Sequence, residues 1–238
     1  THWGNPNSVH DLGLKANKLI QDSEKIVKDA IEKRNGRIFW TQSASAANKL
    51  LYKLCKNNEM NYSSTETSHK SAYNLINTNV KGLSLFSIET INHETGRYNV
   101  VSNQPEKAFY HADNVQGFLK MNMPLHMYDA ITLSGHKIYG PKGIGCLWVS
   151  DTLLDHFPNI DFYNGTLSPV LIRGFAKAIE VYDKTPKPYV NEFLSSLQLN
   201  YIFFGHNTES QSLSYISPIT FPEVKAVNLL MELNARGV

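Results

Sequence analysis

The chain has 238 residues, of which 42% are hydrophobic and 18% are charged. These are values of a globular protein, long enough for one large domain and a smaller companion. A net charge of +2 gives no reason to expect nucleic acid or an acidic membrane surface as a partner. No apolar run approaches the ~18 residues of a membrane span and the first residues lack a signal-peptide pattern, so we expect a cytoplasmic location.

Neither metal nor disulfide chemistry is indicated by the sequence. The nine histidines are scattered, and none stands in an H-E-x-x-H or Cys/His cluster, which predicts no metal site. Cys55 and Cys146 are the only cysteines. Two cysteines fit a reducing compartment, where a disulfide is not expected.

Hydrophobic spacing predicts helices and strands in alternation. A helix is expected over 11–34, where apolar residues recur at helical spacing, and a second helix opens at 43 and continues to 54. Strands are predicted at 37–41, 83–88, 107–112, 131–134 and 145–149. Strands that alternate with helices predict an α/β sheet.

The character of the sequence changes past about residue 180. The proline-containing segment 183–188 interrupts a helix, a longer helix fits 189–199, and a strand fits 216–221. We therefore predict a large domain over 1–180 and a small, incomplete domain over 181–238.

The segment 134–145, Ser-Gly-His-Lys-Ile-Tyr-Gly-Pro-Lys-Gly-Ile-Gly, carries the most chemical information. Lys137 stands between the phosphate-competent pair Ser134 and His136 and a turn rich in glycine and proline. A lysine in this setting suits a Schiff base with an aldehyde cofactor. The alternative is a solvated loop lysine, which is what we expect of Lys142.

Asp113 ends an earlier predicted strand. A carboxylate at a buried strand end is costly without a cationic partner, and a pyridinium N–H supplies one. The alternative is a helix N-cap, with the helix beginning at Asn114. Together, Lys137 and Asp113 predict pyridoxal 5'-phosphate (PLP), which needs a lysine partner and a carboxylate on its ring nitrogen.

Three weaker signals accompany this pair. The turn 43–45 offers backbone N–H groups and the Ser45 hydroxyl to a phosphate, although strand–small residue–helix segments are common. The segment 92–96, which contains His93, either faces a ligand or is a simple β-turn. His69 either stacks on an aromatic ring and moves protons or is structural.

In this order, the motifs resemble those of the cysteine desulfurases, within the class V aminotransferase superfamily of fold-type I PLP enzymes. Residues 134–145 match S-x-H-K-x-x-G-P-K-G-x-G, and residues 111–116 match H-x-D-A-V-Q with Asn114 in place of alanine. Further similar segments are 3–10, 92–96, 165–166 and 221–224. The resemblance implies a mixed, mostly parallel sheet with helices on both faces and a small α+β domain.

The resemblance also implies a role for each matching residue. Lys137 is the Schiff-base lysine and Asp113 pairs with the pyridine nitrogen. Gln116 bonds the phenolic oxygen, His69 stacks over the ring, and His93 lies near the cofactor's oxygen. The implied phosphate ligands are Ser45, Ser134, His136 and, from the neighbouring subunit of a homodimer, Thr166.

The implied activity is PLP-dependent conversion of L-cysteine, or a related amino acid, to L-alanine with sulfur transfer to an enzyme thiol. Such chemistry serves iron–sulfur cluster assembly, and its implied partners are a sulfur acceptor or a scaffold protein. The alternatives are another class V reaction, namely aminotransfer or a selenocysteine/cysteine lyase, and a non-catalytic scaffold of the same fold.

The sequence departs from the family pattern in ways that bear on activity. Ser45 replaces a threonine, Ala46 a glutamate and His93 an asparagine, and the stretch between 69 and 92 is short. The family's S-S-G-S-A-C loop, with its persulfide-forming cysteine, is expected to follow Val238. Cys55 and Cys146 match no such context, and both are predicted to be buried in regular elements.

Overall fold

The computed structural model describes residues 4–73, 82–101, 108–158, 160, 162, 165–184, 196, 202–203, 216 and 218–237. Contacts divide the chain into two compact units, the first containing 1–90 and 99–184 and the second 91–98 and 185–238. The domain boundary expected after residue 180 remains a prediction. The predicted large domain includes residues 91–98, whereas their contacts group them with the second unit.

A six-stranded mixed sheet forms the centre of the first unit. Its strands are β1 (Arg37–Thr41), β2 (Asn61–Ser64), β3 (Ser84–Glu89), β4 (Ala108–Asp113), β5 (Ala130–Ser134) and β6 (Gly145–Val149). Their order across the sheet is β1-β6-β5-β4-β3-β2, and β6 runs antiparallel to both of its neighbours. The predicted mixed, mostly parallel sheet is confirmed.

Helices pack against both faces of this sheet. They are α1 (Asp11–Ala30), α2 (Ala44–Asn57), α3 (Lys70–Tyr73), α4 (Asp151–Leu154) and α5 (Pro169–Glu180). Phe39 packs in the core cluster beneath α2, whereas its neighbour Trp40 meets Phe175 of α5 at 6.0 Å between ring centroids. Because successive strand residues point to opposite faces, α2 and α5 lie on opposite sides of the sheet.

Helix α1 ends earlier than the predicted residue 34. Ile31 caps the helix, and Glu32 adopts a left-handed backbone with φ of 56°. A non-glycine residue in this region breaks the helical path. The apolar periodicity that suggested a longer helix continues into the cap and not into a further helical turn.

In the second unit the structure describes two short antiparallel strands and one helix. These are β7 (Ile202–Phe203), β8 (Ile219–Thr220) and α6 (Ala226–Ala235). The strand predicted over 216–221 is thus shorter than expected, and the helix predicted over 189–199 lies outside the described residues except for residue 196. None of the described helices combines the length and apolarity needed to cross a membrane.

Candidate functional site

The central strands bring the main predicted residues to one edge of the sheet. Asp113 ends β4 and Ser134 ends β5, and these strands run parallel, with Asp113 in register with Thr132. The carboxyl ends of parallel strands therefore meet at one edge, where ligands of α/β sheets collect. Lys137 follows directly, half-buried in the short 3-10 helix Gly135–Ile138.

The first turn of α2 lies at the same edge. Gly145 is the register partner of both Thr41 and Ser134. A Cβ at Gly145 would come within 2.7 Å of the Ser43 carbonyl carbon, so this position requires glycine. Ser45 is half-buried in the first turn of the helix, whose N-terminal N–H groups and dipole favour an anion.

His136 marks a positively charged group of side chains. Its Nδ1 lies 3.0 Å from the Ser134 Oγ. Burial lowers the pKa of His136, and the charges of Lys137, Lys142 and Lys120 lower it further. Three lysines within electrostatic reach of one imidazole suit a dianionic phosphate.

Lys120 belongs to this group of lysines, although no sequence motif predicts it. Burial lowers the pKa of its amine to about 8, and the neighbouring charge of Lys137 contributes to the shift. Its place depends on the turns after β4, where Leu119 adopts a left-handed φ of 61°. No spacing in the sequence signals that conformation, because leucine rarely adopts it.

Asp113 is a buried carboxylate, 4% exposed. Its Oδ2 accepts a hydrogen bond from Asn48 Nδ2 at 2.8 Å, and its Oδ1 accepts a longer one from the Val115 amide at 3.4 Å. Turns and not a helix occupy 115–120, so the alternative that Asp113 caps a helix beginning at Asn114 is wrong.

A hydrogen-bonded chain joins His69 to Asp113. His69 precedes α3, and its Nδ1 lies 2.8 Å from the Ser71 Oγ. The same Oγ accepts a hydrogen bond from Asn48 Nδ2 at 2.9 Å. Asn48 and Ser71 were not predicted as site residues, because they join only when α3 packs against α2.

His111, from the same motif as Asp113, is fully buried in the sheet. Its Nδ1 lies 2.8 Å from the Ser87 Oγ and its Nε2 lies 2.9 Å from the Thr132 Oγ1. Burial lowers the pKa of His111 to about 3, so the ring is neutral and structural at physiological pH.

We expect His111 to destabilise the fold in acid. The unfolded chain binds a proton at this residue below about pH 6.5, whereas the folded chain does so only near pH 3. Stability should therefore fall as pH decreases through this window, by up to about 1.4 kcal/mol per pH unit. Urea unfolding at several pH values gives the free energy of unfolding as a function of pH. Its decrease toward acid pH should be shallower in His111→Gln than in the wild type and unchanged in the exposed control His126→Gln. Equal slopes for wild type and His111→Gln would contradict the assignment.

The positions of three further predicted residues do not by themselves decide their roles. Gln116 is half-buried in the turns after β4, and Thr166 is exposed beside Gly165. His93 lies in the second unit, in a turn where Asn92 Oδ1 accepts hydrogen bonds from two backbone amides. The simple-turn interpretation of 92–96 describes this local structure, and the cofactor contacts of these three residues remain predictions.

Both cysteines are buried, as predicted. Burial raises the pKa of the Cys55 thiol to about 12 and also raises the pKa of the Cys146 thiol. Neither thiol supplies a thiolate at neutral pH. Within the described residues, no cluster of three or more histidine, cysteine or acidic side chains could hold a metal ion.

The fold and this edge together define an α/β protein in which a lysine, a buried carboxylate and a helix N-terminus lie at one edge of the sheet. The family model Aminotransferase class-V matches residues 62–185. The chain belongs to the class-V aminotransferase family. Members of this family are PLP-dependent, so membership confirms the predicted cofactor.

The chain is similar in sequence to cysteine desulfurases and shares its fold with solved structures. The mitochondrial cysteine desulfurase of Eremothecium gossypii is 25% identical, over 97% of this chain and 58% of its own length. The cysteine desulfurase IscS of Rickettsia typhi is 27% identical, over 85% of this chain and 60% of its own length. A solved NifS-like protein superposes with a TM-score of 0.83 at 21% identity, covering all of this chain and 79% of that one.

These matches confirm the resemblance seen in the motifs, and the solved structure confirms the fold. The chain spans about 58% of the length of the curated relatives it matches.

Proposed function

We propose that this chain acts in the PLP-dependent conversion of L-cysteine to L-alanine, with transfer of the sulfur to a thiol. The observation that carries the proposal is the shared edge at which Asp113 ends β4, Ser134 ends β5 and Lys137 follows β5. Cysteine desulfurases among the relatives support the choice of substrate.

The residues at this edge fit the cofactor. We infer that Ser134, His136 and the first turn of α2 with Ser45 hold the phosphate, since they supply hydroxyls, an imidazole and helix N–H groups. Asp113 would stabilise the protonated ring nitrogen of the bound cofactor, and Lys137 would supply the amine that holds it. When bound, the cofactor withdraws electrons from the substrate and so weakens its bonds.

The sulfur step needs a thiolate that these 238 residues do not provide. The Cβ–S bond of cysteine breaks, the sulfur joins an acceptor thiolate as a persulfide, and the carbon skeleton takes up a proton and leaves as alanine. Cys55 and Cys146 are both buried with raised pKa values. We therefore propose that the acceptor is an exposed thiol other than these two.

The assembly and location that we propose rest on the resemblance. Thr166 is exposed, which is compatible with a contact to the phosphate in the other subunit of a homodimer. His93, Gln116 and His69 take the roles implied for the cofactor's oxygen and ring. A cytoplasmic location and a role in iron–sulfur assembly stay predictions, because both mitochondrial and bacterial proteins are among the relatives.

The test is to incubate the chain with PLP and L-cysteine and to measure alanine and sulfide, with and without an added low-molecular-weight thiol. We expect a visible absorption band from bound cofactor and a change of that band when cysteine is added. Alanine and sulfide should form in equal amounts, and only when the thiol is present.

Each other outcome identifies a different function. 3-Mercaptopyruvate in place of alanine would indicate aminotransfer, because that reaction removes the amino group and keeps the sulfur, and the absence of a visible band would indicate a non-catalytic scaffold. If the chain released sulfide without added thiol, and Cys146→Ser abolished that release, Cys146 would be the acceptor. The proposal of an acceptor other than Cys55 and Cys146 would then be refuted.

A further inference from the structure

Asn48 occupies a central place between two residues proposed to contact the cofactor. It is fully buried in α2. Its side-chain amide nitrogen donates to Asp113 Oδ2 at 2.8 Å and to Ser71 Oγ at 2.9 Å, which uses both of its N–H groups. Reversing the amide would set its oxygen against the carboxylate oxygen, so electrostatics selects the orientation described.

The hydrogen bonds between Asn48, Ser71 and the His69 imidazole all run in one direction, from donor to acceptor toward the imidazole. The Ser71 backbone N–H donates to His69 Nδ1 at 3.2 Å, so this nitrogen is an acceptor without a proton. The Ser71 Oγ, which accepts from Asn48, is therefore free to direct its own hydrogen to the same Nδ1 at 2.8 Å. A neutral His69 then carries its proton on Nε2.

This arrangement has a cost in stability. The Asn48 Oδ1 is buried and finds no hydrogen-bond partner among the described residues. An unpaired buried carbonyl oxygen is unfavourable, and residues that keep one often do so for function. Packing alone would be served equally well by an apolar side chain at this position.

We propose that Asn48 is a positioning residue, which orients the Asp113 carboxylate and, through Ser71, holds His69 with Nδ1 as the acceptor and Nε2 as the protonated nitrogen. The proposal rests on the proposed function for its relevance to PLP, since Asp113 and His69 are assigned there to the ring nitrogen and the ring face. The hydrogen-bonded unit itself is a property of the chain and is testable without the cofactor.

The first measurement is the tautomer of His69, by NMR of the full chain with nitrogen-15-labelled histidine, the signal being assigned with His69→Gln. We expect the Nε2–H tautomer in the wild type. In Asn48→Asp the introduced carboxylate accepts the Ser71 hydroxyl hydrogen, so His69 Nδ1 loses that donor while the Ser71 backbone N–H still bonds to it, and the Nδ1 resonance should shift within the Nε2–H tautomer. The control Ser23→Ala removes a fully buried hydroxyl that bonds Leu19 O at 2.7 Å and should leave it unchanged.

The second measurement is the affinity for PLP, followed by the visible band. Asn48→Ala removes a hydrogen bond to a charged group, for which we expect about tenfold weaker binding. The isosteric Asn48→Asp should bind still more weakly, because it places a carboxylate beside Asp113. A packing role predicts the opposite order, with Asn48→Asp the milder change.

The outcomes separate this inference from the proposed function. An Nδ1–H tautomer in the wild type, or an unchanged Nδ1 resonance in a folded Asn48→Asp protein, would overturn the inference. If the wild type bound no PLP, the proposed function would fail, and the tautomer would still decide the inference. Circular dichroism on every variant confirms that the chain is folded.

Discussion

Replacing Lys137 with alanine should abolish the covalent attachment of PLP. Lys137 follows β5 directly and lies within electrostatic reach of His136, so its amine is at the edge that gathers Asp113 and Ser134. After borohydride reduction, mass spectrometry should find the pyridoxyl group on Lys137 in the wild type and on no residue in Lys137→Ala. Turnover should fall by more than about 10²-fold.

Two other lysines make this test discriminating. Lys120, with its pKa lowered to about 8, has a larger share of free amine at neutral pH than an ordinary lysine. Lys142 is exposed in the turn beyond Lys137. We expect Lys120→Ala and Lys142→Ala to keep the adduct on Lys137. A pyridoxyl group on Lys120 or Lys142 in the wild-type chain would show that the attachment site is misassigned.

Much of the sheet follows from local sequence, because apolar runs and turn residues are local signals. The strands 37–41 and 145–149 were predicted with their observed bounds. The placement of Lys137 and Asp113 at one edge followed from a topological rule, since parallel strands expose their carboxyl ends together. The end of α1 was missed because Glu32 takes a left-handed backbone that no residue pattern announces.

The rest of the site depends on tertiary packing. Asn48 sits in a helix and Ser71 in another, and only the packing of α3 on α2 brings their side chains to Asp113. Lys120 reaches the site because Leu119 bends the chain into an unfavourable conformation. Such contacts join residues far apart in sequence, and periodicity carries no information about them.

Replacing Asp113 with asparagine should damage the chemistry far more than the fold. The variant keeps the shape and an oxygen that accepts from Asn48 Nδ2, so we expect the free energy of unfolding to change by no more than about 1–2 kcal/mol. It loses the negative charge that stabilises a protonated pyridine nitrogen. Because that charge acts on electron density that develops during the reaction, turnover should fall about 10²–10³-fold.

The matched control for Asp113→Asn is Asp129→Asn, which removes a carboxylate at the opposite end of β5. Asp129 Oδ2 accepts a hydrogen bond from the Tyr110 amide at 3.0 Å, and burial raises its pKa, so its role is structural. Asp129→Asn should leave the visible spectrum and turnover unchanged. Urea unfolding, the cofactor spectrum and alanine production should be measured on both variants. If Asp113→Asn kept full turnover but unfolded at much lower urea, Asp113 would be a structural carboxylate like Asp129, and the assignment of the ring-nitrogen partner would be wrong.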